Sequence, residues 1–401
     1  MLFKRNKDLK IKDRCAKCGA CLSFCPVYKS LLLERFSPRG KNYLIHEYSA
    51  KNKDQLIKET ISACLQCGAC SEKCSSKADV ANLIRQIRSN FNYYRNIPYF
   101  LFDLWRKFGE QKVISLIKVT KDFHNLLQKN NIKISTTDFI SDYLEGLPIQ
   151  NKPLLKPIKS TDKVGFFIGC VQNFIFKDKA YNIIKLLSDI EIKVPLNQTC
   201  CGLPTFSQGA FKHTLSFIKK NLHSFQESNV STIITGCSSC AYMIKTWPKL
   251  LSKDEKLLPL AQKIANNTYE FTSFLYKTFQ ISTSFEKLPL NTLAQIPCHH
   301  RFALKEDKNI INFVQNIIKE EGYLGELGCC GFGGSFHIFN QKISETIFQR
   351  NVKEKIISLN TSVDAVVTTC SGCLIRLKHK LDNSNIKILH TSDLLLLSIQ
   401  Q

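Results

Sequence analysis

No stretch of this 401-residue chain stays apolar for the roughly 20 residues that a membrane-spanning helix needs. The longest candidates, around Ile97–Leu104 and Leu394–Leu397, are short and interrupted, so a soluble chain, or a peripheral one at most, is expected. Residues 1–14, MLFKRNKDLKIKDR, carry the charge of an export signal but not its apolar centre. Without export, cysteines stay reduced and read better as metal ligands than as disulfides. Acidic residues are scarce, 33 Asp and Glu against 56 Lys and Arg, which leaves a formal charge of +23. The excess could neutralise anionic clusters, hold the chain on an anionic membrane or an acidic partner, bind nucleic acid, or simply reflect codon bias. The lysines are scattered and no nucleic-acid module is recognisable, so no nucleic-acid partner is expected. A hydrophobic content of 44% sets aside disorder, and the length allows two or three domains with real cores.

Cysteine is abundant, at 18 residues, and its spacing organises the chain. Cys15 to Pro26 reads CAKCGACLSFCP, the C-x2-C-x2-C-x3-C-P run that holds a cubane iron–sulfur cluster of the bacterial ferredoxin type. Three thiolates two residues apart on one tight turn can hold three corners of a cube, and Gly19 lets the backbone close in. The fourth thiolate points away and, in two-cluster proteins, ligates the other cluster. A second run is present, CLQCGACSEKCS, with Cys64, Cys67, Cys70 and Cys74 at the same spacing. The exchange predicts one cluster on Cys15, Cys18, Cys21 and Cys74, and the other on Cys64, Cys67, Cys70 and Cys25. Structural zinc is the alternative, though it usually takes two well-separated C-x2-C knuckles. Ser75 stands where the first run has Pro26, which changes the loop rather than the ligands.

Between the runs, Ser37-Pro38-Arg39-Gly40 signals a turn, and Leu44, Ile45 and Tyr48, then Leu56, Ile57 and Ile61, recur at helical spacing. Arg39 and Lys41 could grip an acidic partner, or cap a helix from a solvated turn. Val80, Leu83, Ile84, Ile87 and Phe91 form an apolar helix face with Arg85 and Arg88 opposite. Aromatics crowd residues 91–105, either as core packing or as a partner- or membrane-facing surface. Residues 146–162, with three prolines and no period, read as a linker.

Beyond it the chain repeats itself. Val164–Ile168 leads to Cys170, followed by Cys200-Cys201-Gly202, a helical stretch (Phe211, Leu215, Ile218, Leu222, Phe225), and a strand Val230–Thr235 running into Cys237-Ser238-Ser239-Cys240. Then Leu293–Pro297 leads to Cys298, followed by Cys329-Cys330-Gly331, a helix (Ile343, Ile347, Ile356, Leu359), and a strand Val363–Thr369 running into Cys370-Ser371-Gly372-Cys373. Corresponding cysteines lie 128 to 133 positions apart, which marks a duplicated α/β unit. Eight cysteines in the runs and five in each repeat account for all 18. In each unit the C-x2-C sits between the carboxyl end of a strand and the start of a helix, where such sheets bind ligands and thiolates are stabilised. Adjacent cysteines cannot easily meet one small ion but can bridge the irons of a larger cluster; a redox disulfide, or zinc with a spare thiol, remains open. His299 and His300 could ligate iron, carry protons, donate to sulfur or simply pack. Gly331, Gly333 and Gly334 suggest a phosphate loop, but no acidic residue completes a dinucleotide fingerprint, so room for a cluster is the better reading.

The expected fold is α+β and multidomain: an α-helical, ferredoxin-like two-cluster domain (1–145), a linker (146–162), and two cysteine-rich CCG units (163–288 and 289–401) whose C-x2-C loops converge. In CAKCGACLSFCPVYK, SPRGKNYLI, CLQCGACSEKC and the two CCG repeats closed by C-x2-C, the chain resembles the glycolate oxidase iron–sulfur subunit family over nearly its whole length. The repeat is shared with subunits of anaerobic glycerol-3-phosphate dehydrogenase, lactate-utilisation proteins and heterodisulfide reductase, where the matching cysteines hold non-cubane clusters. The resemblance implies two [4Fe-4S] clusters, a non-cubane cluster or clusters in the repeats, and no substrate site on this chain. It implies a separate FAD-containing subunit that oxidises glycolate or lactate, and electrons leaving towards quinone. It also implies a place in the cytoplasm or on the inner face of the plasma membrane. A glycerol-3-phosphate dehydrogenase or heterodisulfide-reductase-like subunit is the alternative.

Overall fold

The structure, a computed structural model, describes residues 14–48, 54–90, 164–188, 190, 192–279 and 287–399. The aromatic segment 91–105, with Phe91, and the proline-rich segment 146–162 lie outside the described residues.

The segment between the two cysteine runs is helical, over Pro38–Tyr48 and Asp54–Ser62. Pro38 opens the first helix, where a missing N–H leaves no bond unmade. Ser37 caps it, its hydroxyl accepting the Gly40 N–H at 2.9 Å. Ile45, Ile57 and Ile61 pack against Val80, Leu83, Ile84 and Ile87 of helix Val80–Asn90, and these close a small all-helical core. Arg85 and Arg88 do not face water as their place opposite the apolar stripe predicts. They are buried, because that face of the helix is the contact with the repeats: Arg88 donates to the Ser207 carbonyl at 2.6 Å, and the Arg85 guanidinium lies 4.4 Å from the Phe206 ring centre. Lys41 is likewise buried rather than on a solvated turn, its ammonium donating to the Ala63 carbonyl at 2.5 Å. A second contact seats Val27, Phe36 and Leu65 on Phe336 and Ile347 of the second repeat.

Each repeat carries a parallel sheet. In the first, β1 (Val164–Phe166), β2 (Thr232–Thr235) and β3 (Thr268–Glu270) lie in that order. In the second, β4 (Thr292–Gln295), β5 (Tyr323–Leu327), β6 (Ala365–Thr368) and β7 (Lys387–His390) are ordered β5-β4-β6-β7. The counterpart of β5 in the first repeat is a single parallel bridge, Gly165 to Lys193. Strands β4 and β6 are buried throughout, which suits their short Leu/Ala/Val runs. The repeats share one core: Phe166, Ile234 and Phe271 of the first pack in the same cluster as Ala294, Phe313, Val367 and Leu394 of the second. The division at 288/289 therefore separates repeats, not cores.

Helices Ser238–Leu250 and Ser371–Leu381 start directly after β2 and β6, with Cys237 and Cys370 at their N-caps. All five cysteines of each repeat thus follow the carboxyl ends of parallel strands, so both sets gather at one end of the paired sheets. The two C-x2-C loops are also tied crosswise. Thr369 donates its hydroxyl to Glu270 of the first repeat, and His390 of the second repeat contacts the Gly236 carbonyl at 2.8 Å. Ser238 donates both its N–H and its hydroxyl to the Thr369 carbonyl, at 2.9 and 3.0 Å.

Gly209 marks how closely the helical domain sits on the repeats. Its φ is +75°, and an added Cβ would lie 2.4 Å from the Arg85 carbonyl oxygen and 2.6 Å from the Ser89 nitrogen, both backbone. Gly209→Ala is expected to lower stability by roughly 2–5 kcal/mol through left-handed strain plus overpacking. A denaturant midpoint within experimental scatter of the parent would disprove that close approach.

Candidate metal centres

The two cysteine runs occupy different surroundings. Cys18 is exposed, and Cys15 and Cys21 are half-buried. Positive φ at Lys17 (57°) and Gly19 (83°) turns the first run back on itself, and Gln66 (59°) and Gly68 (78°) do the same in the second. Cys25 leaves the first run and joins Cys64, Cys67 and Cys70 in lining one pocket, together with Lys41, Val80 and Ile84. The Cys67 and Cys70 thiols sit deep among protein atoms although the residues are half-exposed. Burial, and then the charges of neighbouring cysteines, pushes both well above the ordinary thiol range. These two thiols ionise only beside a strong positive charge, which the irons of a cluster supply. Cys74 accepts the Ala78 N–H at 3.3 Å. Its run meets the first where the Lys73 ammonium lies 5.8 Å from the Phe24 ring centre. Around the exposed end, Arg39 donates to Glu34 at 2.6 Å and to the Lys17 carbonyl at 3.2 Å.

All ten repeat cysteines, Cys170, Cys200, Cys201, Cys237, Cys240, Cys298, Cys329, Cys330, Cys370 and Cys373, line a single cavity of about 170 Å3 between the two sheets and the second run. Within it the Cys170 and Cys200 sulfurs are 3.6 Å apart and those of Cys330 and Cys373 are 3.3 Å apart. Cys237 interacts with both Cys240 and Cys370, so the repeats meet sulfur to sulfur. Thiol neighbours split their acidities. Donation from Cys200 and Cys240 holds Cys201 down to about 6, and the contact with Cys373 lowers Cys330. Cys370, donating to Cys237, is pushed up to about 12, and Cys298 is pushed up by burial. The lining otherwise consists of apolar, Gly, Ser, Gln and His residues. A donor set of thiols in a cavity lined mostly by apolar atoms fits iron–sulfur chemistry, which favours soft thiolates and low polarity. Among the described residues, no three His, Cys, Asp or Glu side chains converge tightly enough to hold one metal ion.

The two histidines after Cys298 open a π-helical turn, His299–Leu304. His299 is committed on both ring nitrogens, Nδ1 to the Ser239 hydroxyl at 2.9 Å and Nε2 to the Gln66 carbonyl at 3.4 Å, and it stacks on Tyr242 at 4.7 Å. His300 is fully buried between the Ser238 hydroxyl (3.2 Å) and the Glu306 carbonyl (2.8 Å). Burial lowers both to about 4, and with their ring nitrogens engaged by these partners they fit the hydrogen-bonding, packed role. Of the three glycines after Cys330, Gly331 and Gly333 are required by close neighbours. A Cβ on Gly331 would lie 2.5 Å from the Ser344 carbonyl, and one on Gly333 would lie 2.6 Å from Leu65 of the helical domain. Gly334 faces open space on the cavity wall.

Comparison with known proteins agrees with this architecture. A 4Fe-4S dicluster domain matches residues 11–78, and a cysteine-rich domain matches twice, over 164–245 and 293–378. Lactate utilization protein A 2 of Bacillus cereus is 30% identical over 243 residues, which cover 58% of this chain and 97% of that protein. The chain belongs to the lactate utilization protein A family. Its relative of the same name in Bacillus anthracis aligns equally well, at 30% over 243 residues, and that of Bacillus mycoides is 28% identical over 241 residues, with 58% of this chain and 98% of the relative covered. This is the iron–sulfur-subunit family that the sequence motifs indicated through its glycolate oxidase members. Among solved structures, glutamate racemase isoform RacE1 of Bacillus anthracis aligns over 60% of this chain and 82% of its own, with a TM-score of 0.28 and 11% identity, too weak a likeness to carry any argument.

Glu270 escapes the sequence reading, which places Lys41 and Arg85 on solvated faces rather than beside the enclosed run. Lys41 and Arg85 carried no signal beyond their charge. Glu270 ends the last strand of its sheet as His390 does in the second repeat, a match that extending the repeat past its cysteines would have shown.

Proposed function

We propose that this chain is the electron-carrying subunit of a 2-hydroxy-acid dehydrogenase complex. A FAD-containing partner would oxidise the acid, and a quinone or other membrane acceptor would take the electrons, at the cytoplasmic face of the membrane. Cubanes at the two N-terminal runs and a non-cubane cluster or clusters among the repeat cysteines supply, when bound, reversible one-electron carriers. In this reading Cys15, Cys18, Cys21 and Cys74 hold one cubane, and Cys25, Cys64, Cys67 and Cys70 the other. The relatives' name turns the choice of acid towards lactate, with glycolate second.

One observation carries the reading. Leu65 and Gln66, which lie between Cys64 and Cys67, are part of the wall of the cavity lined by all ten repeat cysteines. The enclosed run and the repeat thiols thus share a wall, while Cys18 at the other run lies open to a partner. Leu65, Phe332 and Pro297 are the apolar part of that wall.

The test is anaerobic. The chain purified with its flavoprotein partner should contain about eight irons or more, with matching sulfide, as two cubanes require. Lactate or glycolate should bleach its visible absorbance and raise a paramagnetic signal, and omission of the flavoprotein should abolish both. A complex that ignores both acids but responds to glycerol 3-phosphate would move the chain to the glycerol-3-phosphate dehydrogenase reading. Zinc without sulfide would end the electron-transfer reading.

A further inference from the structure

Besides Arg88, which holds the Cys64 carbonyl, two cations lie buried beside the enclosed run, and neither has a carboxylate partner among the described residues. Lys41 is 2% exposed, and its ammonium donates to the Ala63 carbonyl and forms no ion pair with a described residue. It lines the same pocket as Cys25, Cys64, Cys67 and Cys70. Arg85 is 6% exposed. Its Nη1 donates to Gln66 Oε1 at 2.8 Å, and Gln66 Nε2 in turn donates to the Cys64 sulfur at 3.4 Å. Glu72 and Asp79, which share a cleft with Arg85, pair instead with Lys305 (2.8 Å) and Lys249 (3.8 Å). The exposed run differs, since its cation, Arg39, is balanced by Glu34 at 2.6 Å.

An unbalanced buried charge is too unfavourable to persist without a counter-charge. Four thiolates on a cubane carry net negative charge, and net charge and hydrogen bonds to sulfur are what set a cluster's potential. We propose that Lys41 and, through Gln66, Arg85 are the resident counter-charge of the cluster held by Cys25, Cys64, Cys67 and Cys70, and that they hold its reduction potential above the value it would have beside neutral side chains. Reduction adds an electron to an already anionic group, so each cation stabilises the reduced form more than the oxidised one. The enclosed cluster is thereby tuned by side chains of this chain, whereas the exposed one is left to its solvent and its partner. This rests on the assignment of a cubane to those four cysteines.

The experiment is a potentiometric titration, followed by paramagnetic resonance, of the full chain loaded with clusters anaerobically. In Lys41→Met and in Arg85→Gln, the midpoint of one cubane should fall by a tenfold change in its reduction equilibrium or more, about 59 mV for a one-electron couple. The other midpoint should stay in place, and Lys41→Arg should restore most of the shift. The shifted centre should be the one whose signal survives in Cys18→Ser. If Lys41→Met fails to retain iron, Arg85→Gln decides by the same criterion. Two intact cubanes whose midpoints move less than twofold in equilibrium, or move together, would overturn the proposal while leaving the cluster assignment standing. A parent protein without two cubanes would overturn the assignment itself.

Discussion

Arg88→Ala is expected to remove roughly 3–5 kcal/mol of stability, because one buried guanidinium ties down four backbone carbonyls at once. Its Nη2 donates to Ile61 (2.7 Å), Cys64 (3.0 Å) and Ser62 (3.3 Å), and its Nη1 donates to Ser207 across the domain contact (2.6 Å). The first three close the turn that presents Cys64, and the fourth holds that turn against the repeats. Truncation leaves these carbonyls, that of Ile61 buried and the others partly so, without their donor, so several acceptors lose a partner at once rather than one. The Cys64 turn should loosen as well. Guanidinium melts of the metal-loaded protein should show the lower midpoint, and iron assay should show fewer irons per chain. Arg88→Lys keeps the charge but not the fork and should recover only a small part of either. A variant that melts within 1 kcal/mol of the parent, estimated on the usual linear extrapolation, and holds its full iron would contradict this account.

The contrast between Arg88 and the cysteines explains what could be read beforehand. A metal site on a tight turn fixes its own spacing, so CAKCGACLSFCP and CLQCGACSEKC declare themselves locally. The strands before Cys237 and Cys370 do so too, as short β-branched runs ending at a cysteine. The helices over 38–48 and 54–62 follow from Leu44, Ile45, Leu56, Ile57 and Ile61. Charge placement is not local. Periodicity sends Lys41, Arg85 and Arg88 to water, and only the groups that meet them in the fold reverse that, a carbonyl from Ala63, an amide from Gln66, a carbonyl from Ser207. Of the lysines and arginines behind the +23 charge, Lys41 thus lines the pocket of the enclosed thiols and Arg85 reaches Cys64 through Gln66, as the cluster-neutralising reading allows. His299 is similar: its position after Cys298 suggests a ligand, and Tyr242 and Ser239, about 60 residues earlier in the chain, decide otherwise. The duplication was legible from the cysteines. That Phe271 and Phe313 share a core was not, because a repeat in sequence does not say whether its halves fold apart or together.

Glu270 gives the largest expected dependence on pH. It is fully buried, and burial pushes its carboxyl up to about 8, with the nearby Glu306 adding to the shift and the Thr369 hydroxyl and the Thr272 and Ser273 N–H groups opposing it. His300, whose Nδ1 lies 4.0 Å away, is neutral and offers no compensating charge. Between the ordinary carboxyl value near 4.5 and about 8, the folded protein keeps a proton that the unfolded chain has released. Stability is therefore greatest below the lower value and falls as pH rises, by up to about 1.4 kcal/mol per unit, until Glu270 ionises near pH 8. The whole change is on the order of 5 kcal/mol by that linkage. Below about pH 6.5 the buried histidines, held neutral in the fold, oppose this trend, so the Glu270 effect is read above it: from pH 6.5 to pH 8 thermal midpoints of the metal-loaded protein should drop, whereas those of Glu270→Gln should drop much less and cross above the parent at the alkaline end. Parallel profiles for the two proteins would mean that Glu270 is ionised throughout. The consequence for the site follows from Thr369, which gives its hydroxyl to Glu270 and its carbonyl to Ser238. One residue on in the chain is Cys370, and one residue back from Ser238 is Cys237. Ionised Glu270 would place a negative charge behind both, in a cavity whose thiols already compete for the right to ionise.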